Sequence, residues 1–162
     1  MRSLGCLLAL LSLGLAGAGQ APATEAPGTV NEVMIGIIDP NTNTVGYAAF
    51  LDPDAPSDSA AADQYAGWER VRSAAIAMAE SASLLMMSGR LCSNGMPAPV
   101  DQEDWIAWSM ELGEAGLAGY AAAKRESMDA LLELGEQLTA SCVSCHMRYV
   151  DVGGDPENRC MP

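Results

Sequence analysis

Apolar residues recur at helical spacing in four segments of this chain, and this pattern limits the fold more than any other feature. In the last segment, residues that repeat every three or four positions share one helix face; they are Leu131, Leu134, Leu138, Cys142, Cys145 and Tyr149. No stretch of useful length alternates with the period of two that strands require. Four amphipathic helices with short connections predict an all-α fold, an antiparallel four-helix bundle.

The first helix is predicted over Thr29–Ile38, and Asp39-Pro40 is expected to interrupt it. Aspartate is a good N-cap and proline a good first helical residue, so a second helical piece can restart there. We expect this piece to run to about Phe50. The predicted fold is therefore a bundle with an interrupted first helix.

The other helices have recognisable ends. The second is predicted over residues 59–88, with Gly89 as a C-terminal stop. Asp101 with Asp104 resembles a capping arrangement at the start of the third, and Ser127 is expected to cap the fourth. Three small residues in the third helix would let a neighbouring helix or a flat ligand come close, or mean nothing if they lie on the surface: Gly113, Gly116 and Gly119.

The N-terminus has the pattern of a secretory signal peptide. Met1-Arg2 is followed by a short apolar run and then by Ala16-Gly17-Ala18, and the run is too short to span a bilayer as a stable helix. Cleavage is predicted after Ala18, with Ala21 as the alternative. The division predicted is a signal peptide (1–18), a flexible leader (19–28), the bundle (29–152) and a C-terminal tail (153–162). We expect a periplasmic protein with no stable membrane anchor after cleavage.

The charge excludes one class of partner. The chain has 21 acidic and 8 basic side chains, for a net charge of −13. A protein that binds nucleic acid needs a basic surface to neutralise phosphates, so this chain is not expected to bind nucleic acid.

Near its C-terminal end the chain contains the motif C-x-x-C-H, as Cys142-Val143-Ser144-Cys145-His146. In an exported protein this motif is typical of covalent haem attachment. Two thiols on one helical turn can add to the two vinyl groups of one haem, and the next imidazole can then serve as the proximal iron ligand. The motif predicts one haem c per chain, attached through Cys142 and Cys145 and ligated by His146. The alternatives are a Cys142–Cys145 disulfide beside an incidental histidine, and a redox-active C-x-x-C, which usually occurs in a βαβ setting.

A four-helix bundle with C-x-x-C-H late in the last helix, and an aromatic residue three positions beyond the histidine, resembles the cytochrome c-prime family. Here the aromatic is Tyr149. The family often has a basic residue directly after it, whereas here Val150 follows and Arg148 precedes. The first helix, with Met34, is similar to low-spin relatives that have a methionine there.

Up-down-up-down topology predicts which residues surround the haem. The end of the last helix should lie beside the start of the first helix, the end of the second and the start of the third. Met34 is the first candidate for the sixth ligand because thioether sulfur suits haem iron, although with ten methionines in the chain it could equally be packing. Arg148 either pairs with a haem propionate or stays solvated. The candidates for the haem pocket are Leu85, Met87, Trp105, Trp108 and Tyr149.

Two further cysteines remain in the mature chain, Cys92 and Cys160. The topology puts both at the same end of the bundle, where a disulfide would hold the tail across the haem end. Export and cysteine parity also allow this pairing.

These observations lead to one expectation and two alternatives. The expected function is that of a periplasmic c-type cytochrome that transfers single electrons and is not an enzyme. Its acidic surface suits a redox partner with a basic docking surface, and the resemblance also allows a homodimer. The first alternative is a five-coordinate haem protein that binds NO or CO, as typical cytochromes c-prime do. The second is an exported bundle held by two disulfides, without chemistry.

Overall fold

Four helices packed against one another form the protein, in a computed structural model that describes residues 26–48, 50, 53, 67–150, 157 and 159–161. Helix α1 comprises Val30–Val33, a π-helical stretch Met34–Ile38 and Asp39–Ala48. The others are α2 (Gly67–Leu85), α3 (Glu103–Lys124) and α4 (Met128–Tyr149). The predicted all-α bundle is confirmed. None of the helices in these ranges is long and apolar enough to cross a membrane.

Some predictions lie outside the described residues. These are the signal peptide (1–18), its cleavage sites, the leader up to residue 25, the start of the second helix (59–66) and part of the C-terminal tail. Where the ends of helices are described, α2 stops at Leu85, and Gly89 follows in a left-handed conformation with φ of 80°. Helix α1 stops at Ala48, two residues before the predicted end.

The interruption predicted in α1 takes the form of a π-helical stretch, and the N-cap role predicted for Asp39 is wrong. Asp39 has helical dihedral angles (φ −55°, ψ −50°), and its N–H donates to the carbonyl of Met34, five residues back. Proline has no N–H and its ring clashes with the carbonyl four residues earlier, so a wider turn before Pro40 lets the helix continue. The Asn41 side chain donates to the Ile37 carbonyl at 2.6 Å within this widened turn.

Helices α2 and α3 approach each other most closely at Gly116. A Cβ atom at this position would lie 2.4 Å from the backbone nitrogen of Ala79 and 2.8 Å from the backbone oxygen of Ala75. These atoms belong to the backbone of α2, so they cannot turn aside as a flexible side chain would. The glycine therefore sets the distance between the two helices, as predicted for a small residue in this helix.

The apolar stripe of α4 faces the core. Leu131, Leu134, Leu138 and Tyr149 are buried, while Cys142 and Cys145 are half-buried at its far end. The Ser127 hydroxyl accepts a hydrogen bond from the Ala130 N–H at 3.3 Å, so the predicted cap is confirmed.

One end of the bundle is closed by the loop between α2 and α3. The Val30 N–H at the start of α1 donates to the Leu91 carbonyl at 2.8 Å. Arg90 is only 2% exposed; its Nε donates to the Leu84 carbonyl at 2.7 Å and its Nη1 to the Gly28 carbonyl at 2.5 Å. The start of α1 and the end of α2 therefore meet at this end, as the up-down-up-down topology requires.

The substitution Gly116→Ala should destabilise the protein. Alanine improves helix propensity by about 1 kcal/mol, but the new methyl group overlaps the α2 backbone and forces the helices apart. Overpacking of this kind typically costs about 1–3 kcal/mol. Chemical denaturation measures the change.

The matched control is Gly135→Ala in α4, where an added Cβ would have no neighbour within 4 Å. Only the propensity gain applies there, so this variant should be as stable as the wild type or more so. Equal stabilisation of both variants would contradict the close approach at Gly116.

Candidate functional site

The three motif residues lie on the last two turns of α4 and differ in exposure. Cys142 and Cys145 are free thiols, each half-buried against the core, and His146 is exposed beside them. The His146 ring makes no hydrogen bond to the described residues. The motif thus presents two unpaired sulfur atoms and one unengaged imidazole on the same part of α4.

The environment of the thiols disfavours their ionisation. Burial raises the pKa of Cys145 to about 11, with further increases from Cys142 and from the negative charge of Asp104. Burial likewise raises the pKa of Cys142. Redox-active cysteine pairs instead have lowered pKa values that favour the thiolate, so this environment is unlike that of a dithiol oxidoreductase.

A small cavity of about 60 Å³ lies beside the end of α4. It brings together Met34 of α1, Trp105 of α3, and Cys145, His146 and Tyr149 of α4. The residues named from the sequence as the proximal ligand and the first candidate for the sixth ligand therefore line one space. This juxtaposition comes from two helices that are far apart in the chain.

A larger, open groove runs along the other side of the motif. It has a volume of about 1470 Å³ and lies between the C-terminal half of α1 and the length of α4 from Leu131 to Ser144. Cys142 and Val143 line it from α4. Tyr47 of α1 and Phe50, which follows that helix, line the other side with 60% and 75% of their surface exposed. The two thiols of the motif thus open on different spaces, Cys142 on the groove and Cys145 on the small cavity.

Tyr149 joins α4 to α3 at the floor of the small cavity. It is 1% exposed, and its hydroxyl donates a hydrogen bond to the carboxylate of Asp104. Its ring packs edge-on against Trp105 and Trp108, with centroid distances of 5.1 and 6.1 Å. The Trp105 indole donates to the Leu85 carbonyl at 3.1 Å, which ties this cluster to the end of α2.

The capping arrangement predicted for Asp101 and Asp104 is wrong. The N-cap of α3 is Gln102, whose side chain makes no capping hydrogen bond, and Asp104 lies in the first turn. The hydroxyl of Tyr149 is the main reason that the pKa of the Asp104 carboxyl lies below its usual range. For Tyr149, burial and the hydrogen bond to Asp104 raise the pKa of the phenol.

Four other residues named from the sequence do not line the small cavity. Leu85 is buried in the core, Met87 accepts from Arg90 through its sulfur at 3.6 Å, and Trp108 packs on Tyr149. Arg148 lies with its Nε 3.6 Å from the Asp104 carboxylate and its guanidinium 5.3 Å from the centre of the Tyr149 ring. Arg148 therefore already has partners on α3 and α4.

The Cys92–Cys160 disulfide, the pairing that the topology allowed, is present, with 6.4 Å between the Cα atoms. It attaches the C-terminal tail to the loop after α2, beside the small cavity. The Cys160 N–H donates to the Tyr149 carbonyl at 2.7 Å, so the tail is also tied to the end of α4. Disulfides of this kind persist in an oxidising compartment.

The tail contributes a residue that the sequence analysis did not select. Arg159 lines the small cavity, and its Nε is buried without a hydrogen-bond partner in the part of the chain that the structure describes. No periodic pattern marks this residue, because it follows the last helix. The one sequence feature that could have indicated Arg159 is its position next to Cys160, because a disulfide through Cys160 would hold the tail at this end of the bundle.

These residues fit the haem that the motif predicts. The donor types of haem c are all present: two free thiols, an unengaged imidazole and a thioether. Cys145, His146 and Met34 line the small cavity, whereas Cys142 lines the larger groove. The buried, unpartnered Nε of Arg159 is a donor of the kind that a carboxylate satisfies. Among the described residues, no three cysteine, histidine or acidic side chains form a set that could hold a bare metal ion.

Comparisons of the chain with protein-family models, with curated proteins and with solved structures found no match.

Replacing Tyr149 by phenylalanine should remove a contribution to stability that depends on pH. The lowered pKa of Asp104 means that its contribution is present above its unfolded pKa and is lost as the pH falls through the folded value. The raised pKa of Tyr149 means that its contribution is present below its unfolded pKa and is lost as the pH rises through the folded value. The free energy of unfolding of wild type should therefore exceed that of Tyr149→Phe most between about pH 4 and 10.

The measurement is denaturant unfolding across this range, with Tyr120→Phe in α3 as the matched loss of a hydroxyl away from Asp104. That control should follow the pH dependence of the wild type. A Tyr149→Phe difference that stayed constant from acid to alkaline pH would show that the hydroxyl does not interact with an ionised carboxylate.

Proposed function

We propose that this protein is a periplasmic c-type cytochrome that transfers single electrons through one haem attached at Cys142 and Cys145. The observation that carries the proposal is the cavity shared by Met34, Cys145 and His146, beside a motif whose thiols are unpaired. When bound, haem iron supplies reversible one-electron oxidation and reduction. The other cysteines are already joined to each other, which leaves Cys142 and Cys145 available for thioether bonds.

Each residue of the site has a distinct task. Cys142 and Cys145 would hold the group on α4 through their sulfur atoms, from backbone positions about 4.5 Å apart along the helix axis at the usual rise per residue. His146 can turn its ring toward the cavity because no described residue engages it. The buried cluster of Tyr149, Trp105 and Trp108 keeps the last turns of α4 against α3 and so fixes the direction from which His146 approaches.

Met34 supports electron transfer over gas binding. Its side chain is half-buried, packs on the core and lines the same cavity as His146, and Met34 is the first residue of the π-helical stretch. Such stretches are frequent at functional sites. A sixth ligand from the protein occupies the position that a gas molecule would need, and histidine–methionine ligation suits an electron carrier.

The partner proposed is a redox protein with a basic docking surface. The net charge of −13 would steer such a partner toward the chain, with an association rate that falls as salt increases. A homodimer is compatible with this proposal. The protein would not be an enzyme, since its residues hold and orient one group and exchange electrons with a partner.

The purified protein should retain haem after denaturation, and this retention should depend on the two cysteines of the motif. The variant Cys142→Ser/Cys145→Ser should lose the covalently held haem, since both thioether bonds disappear. Absorbance in the Soret region and the mass of the denatured chain measure retention. The matched control is Cys92→Ser/Cys160→Ser, which removes the same number of sulfur atoms from the same end of the bundle and should keep its haem. Wild type without a Soret band would overturn the proposal and favour a bundle without chemistry.

The ferrous spectrum tests the ligand role of Met34. We expect wild type to be low-spin and insensitive to carbon monoxide, and Met34→Ala to become high-spin and to bind it. The control is Met110→Ala on α3, where the side chain is 51% exposed, and its spectrum should match the wild type. If wild type itself is high-spin and binds carbon monoxide, the gas-binding alternative replaces electron transfer. If Met34→Ala keeps the wild-type low-spin spectrum, Met34 is not the ligand.

A further inference from the structure

Arg159 is held firmly at the edge of the small cavity by the tail around it. Cys160, the next residue, is bonded to Cys92 and has a left-handed conformation with φ of 62°. The side-chain amide of Asn94 donates to the carbonyl of Glu157 at 2.9 Å and to that of Arg159 at 2.8 Å. The backbone of Arg159 is therefore anchored to the loop between α2 and α3 on both sides of the residue.

The side chain of Arg159 has an unmet requirement. Its Nε is buried and has no hydrogen-bond partner among the described residues. Leaving a buried donor unsatisfied costs about 1–3 kcal/mol, and more for a charged group. By contrast, Arg90, which is buried at this end, donates to two carbonyls and a sulfur atom. Burial at this end of the bundle therefore does not by itself leave an arginine without partners.

The described surroundings of Arg159 contain no carboxylate partner for its guanidinium. The chain has 21 acidic residues against 8 basic ones, yet none of the described residues that line this cavity is an aspartate or glutamate. The ion pairs Arg72–Glu69 and Arg148–Asp104 do not involve Arg159. The other described residues in the lining that have polar side-chain groups are Asn31, Ser93, Trp105, Cys145, His146 and Tyr149.

We propose that the guanidinium of Arg159 binds a carboxylate of the haem, one of its two propionates. The inference rests on the proposed function. The planar guanidinium presents its donors in a fork that matches a carboxylate. Arg159 lines the same cavity as Cys145 and His146, so its free donor lies next to the proposed point of haem attachment. Arg159 is thus a positioning residue. It holds the haem from the C-terminal tail, whereas the thioether bonds hold it from α4.

The test is the midpoint potential of the purified holoprotein as a function of pH, for wild type, Arg159→Gln and Arg159→Lys. An arginine next to a carboxylate lowers the pKa of that carboxylate by about 1–3 units. The inflection due to propionate ionisation should therefore move to higher pH by about that amount in Arg159→Gln. Lysine keeps the charge but not the fork, so Arg159→Lys should restore part of the shift.

Two further variants identify the source of the inflection. Arg125→Gln removes an arginine from the opposite end of α3, at its C-cap, and should leave the curve unchanged. Adding Asp104→Asn to Arg159→Gln removes the carboxylate that contacts Tyr149 and Arg148, and the shifted inflection should persist. An inflection that disappeared in this double variant would belong to Asp104 and would overturn the proposal.

The outcomes separate this inference from the proposed function. Wild type without covalent haem refutes the proposed function and this inference with it. Haem-loaded wild type and Arg159→Gln with the same curve refute only the role of Arg159. If Arg159→Gln fails to accumulate with haem, the comparison is made between wild type and Arg159→Lys, whose identical curves would likewise refute it.

Discussion

The hydrogen bond between the Tyr149 hydroxyl and the Asp104 carboxylate is the interaction on which the candidate site depends. A phenol that is 1% exposed requires a partner, and the partner is supplied by the first turn of α3. This contact, with the edge-on packing of Trp105, fixes the end of α4 against α3. Cys145 lies one turn before Tyr149, so the motif is held in place by a contact that involves none of its own residues.

The parts of the fold that follow from local periodicity and small residues could be predicted from the sequence. The stripe of α4, the cap at Ser127 and the close approach at Gly116 each depend on neighbouring residues in one helix and on a simple steric rule. The behaviour of Asp39 could not, because an Asp-Pro pair fits both a helix start and a widened turn. The choice between them depends on packing along the whole of α1, which joins its two parts into one helix.

The candidate site also has a part that could be predicted from the sequence and a part that could not. The motif could be recognised from its spacing, and topology predicted the end of the bundle at which it lies. Topology also predicted that Met34 lies near His146, and the two residues line one cavity. The roles of Asp104 and Arg159 could not be predicted, because they depend on contacts with residues distant in the chain. Asp104 is of a residue type common at helix N-caps, but it accepts a hydrogen bond from a hydroxyl 45 residues away in the chain. The position of Arg159 depends on the disulfide that attaches the tail to the bundle.

Two arginines are buried or half-buried at this end of the bundle, in a chain that is acidic as a whole. The net charge is −13. Arg90 nevertheless donates to carbonyl groups and not to carboxylates, and the buried Nε of Arg159 has no partner among the described residues. A positive charge near a bound iron favours the reduced state, which carries one positive charge fewer. An acidic exterior and a cationic interior would thus act on separate properties. Under the proposed function, the exterior would govern the rate at which a basic partner arrives, and the interior would govern the potential at which an electron is exchanged.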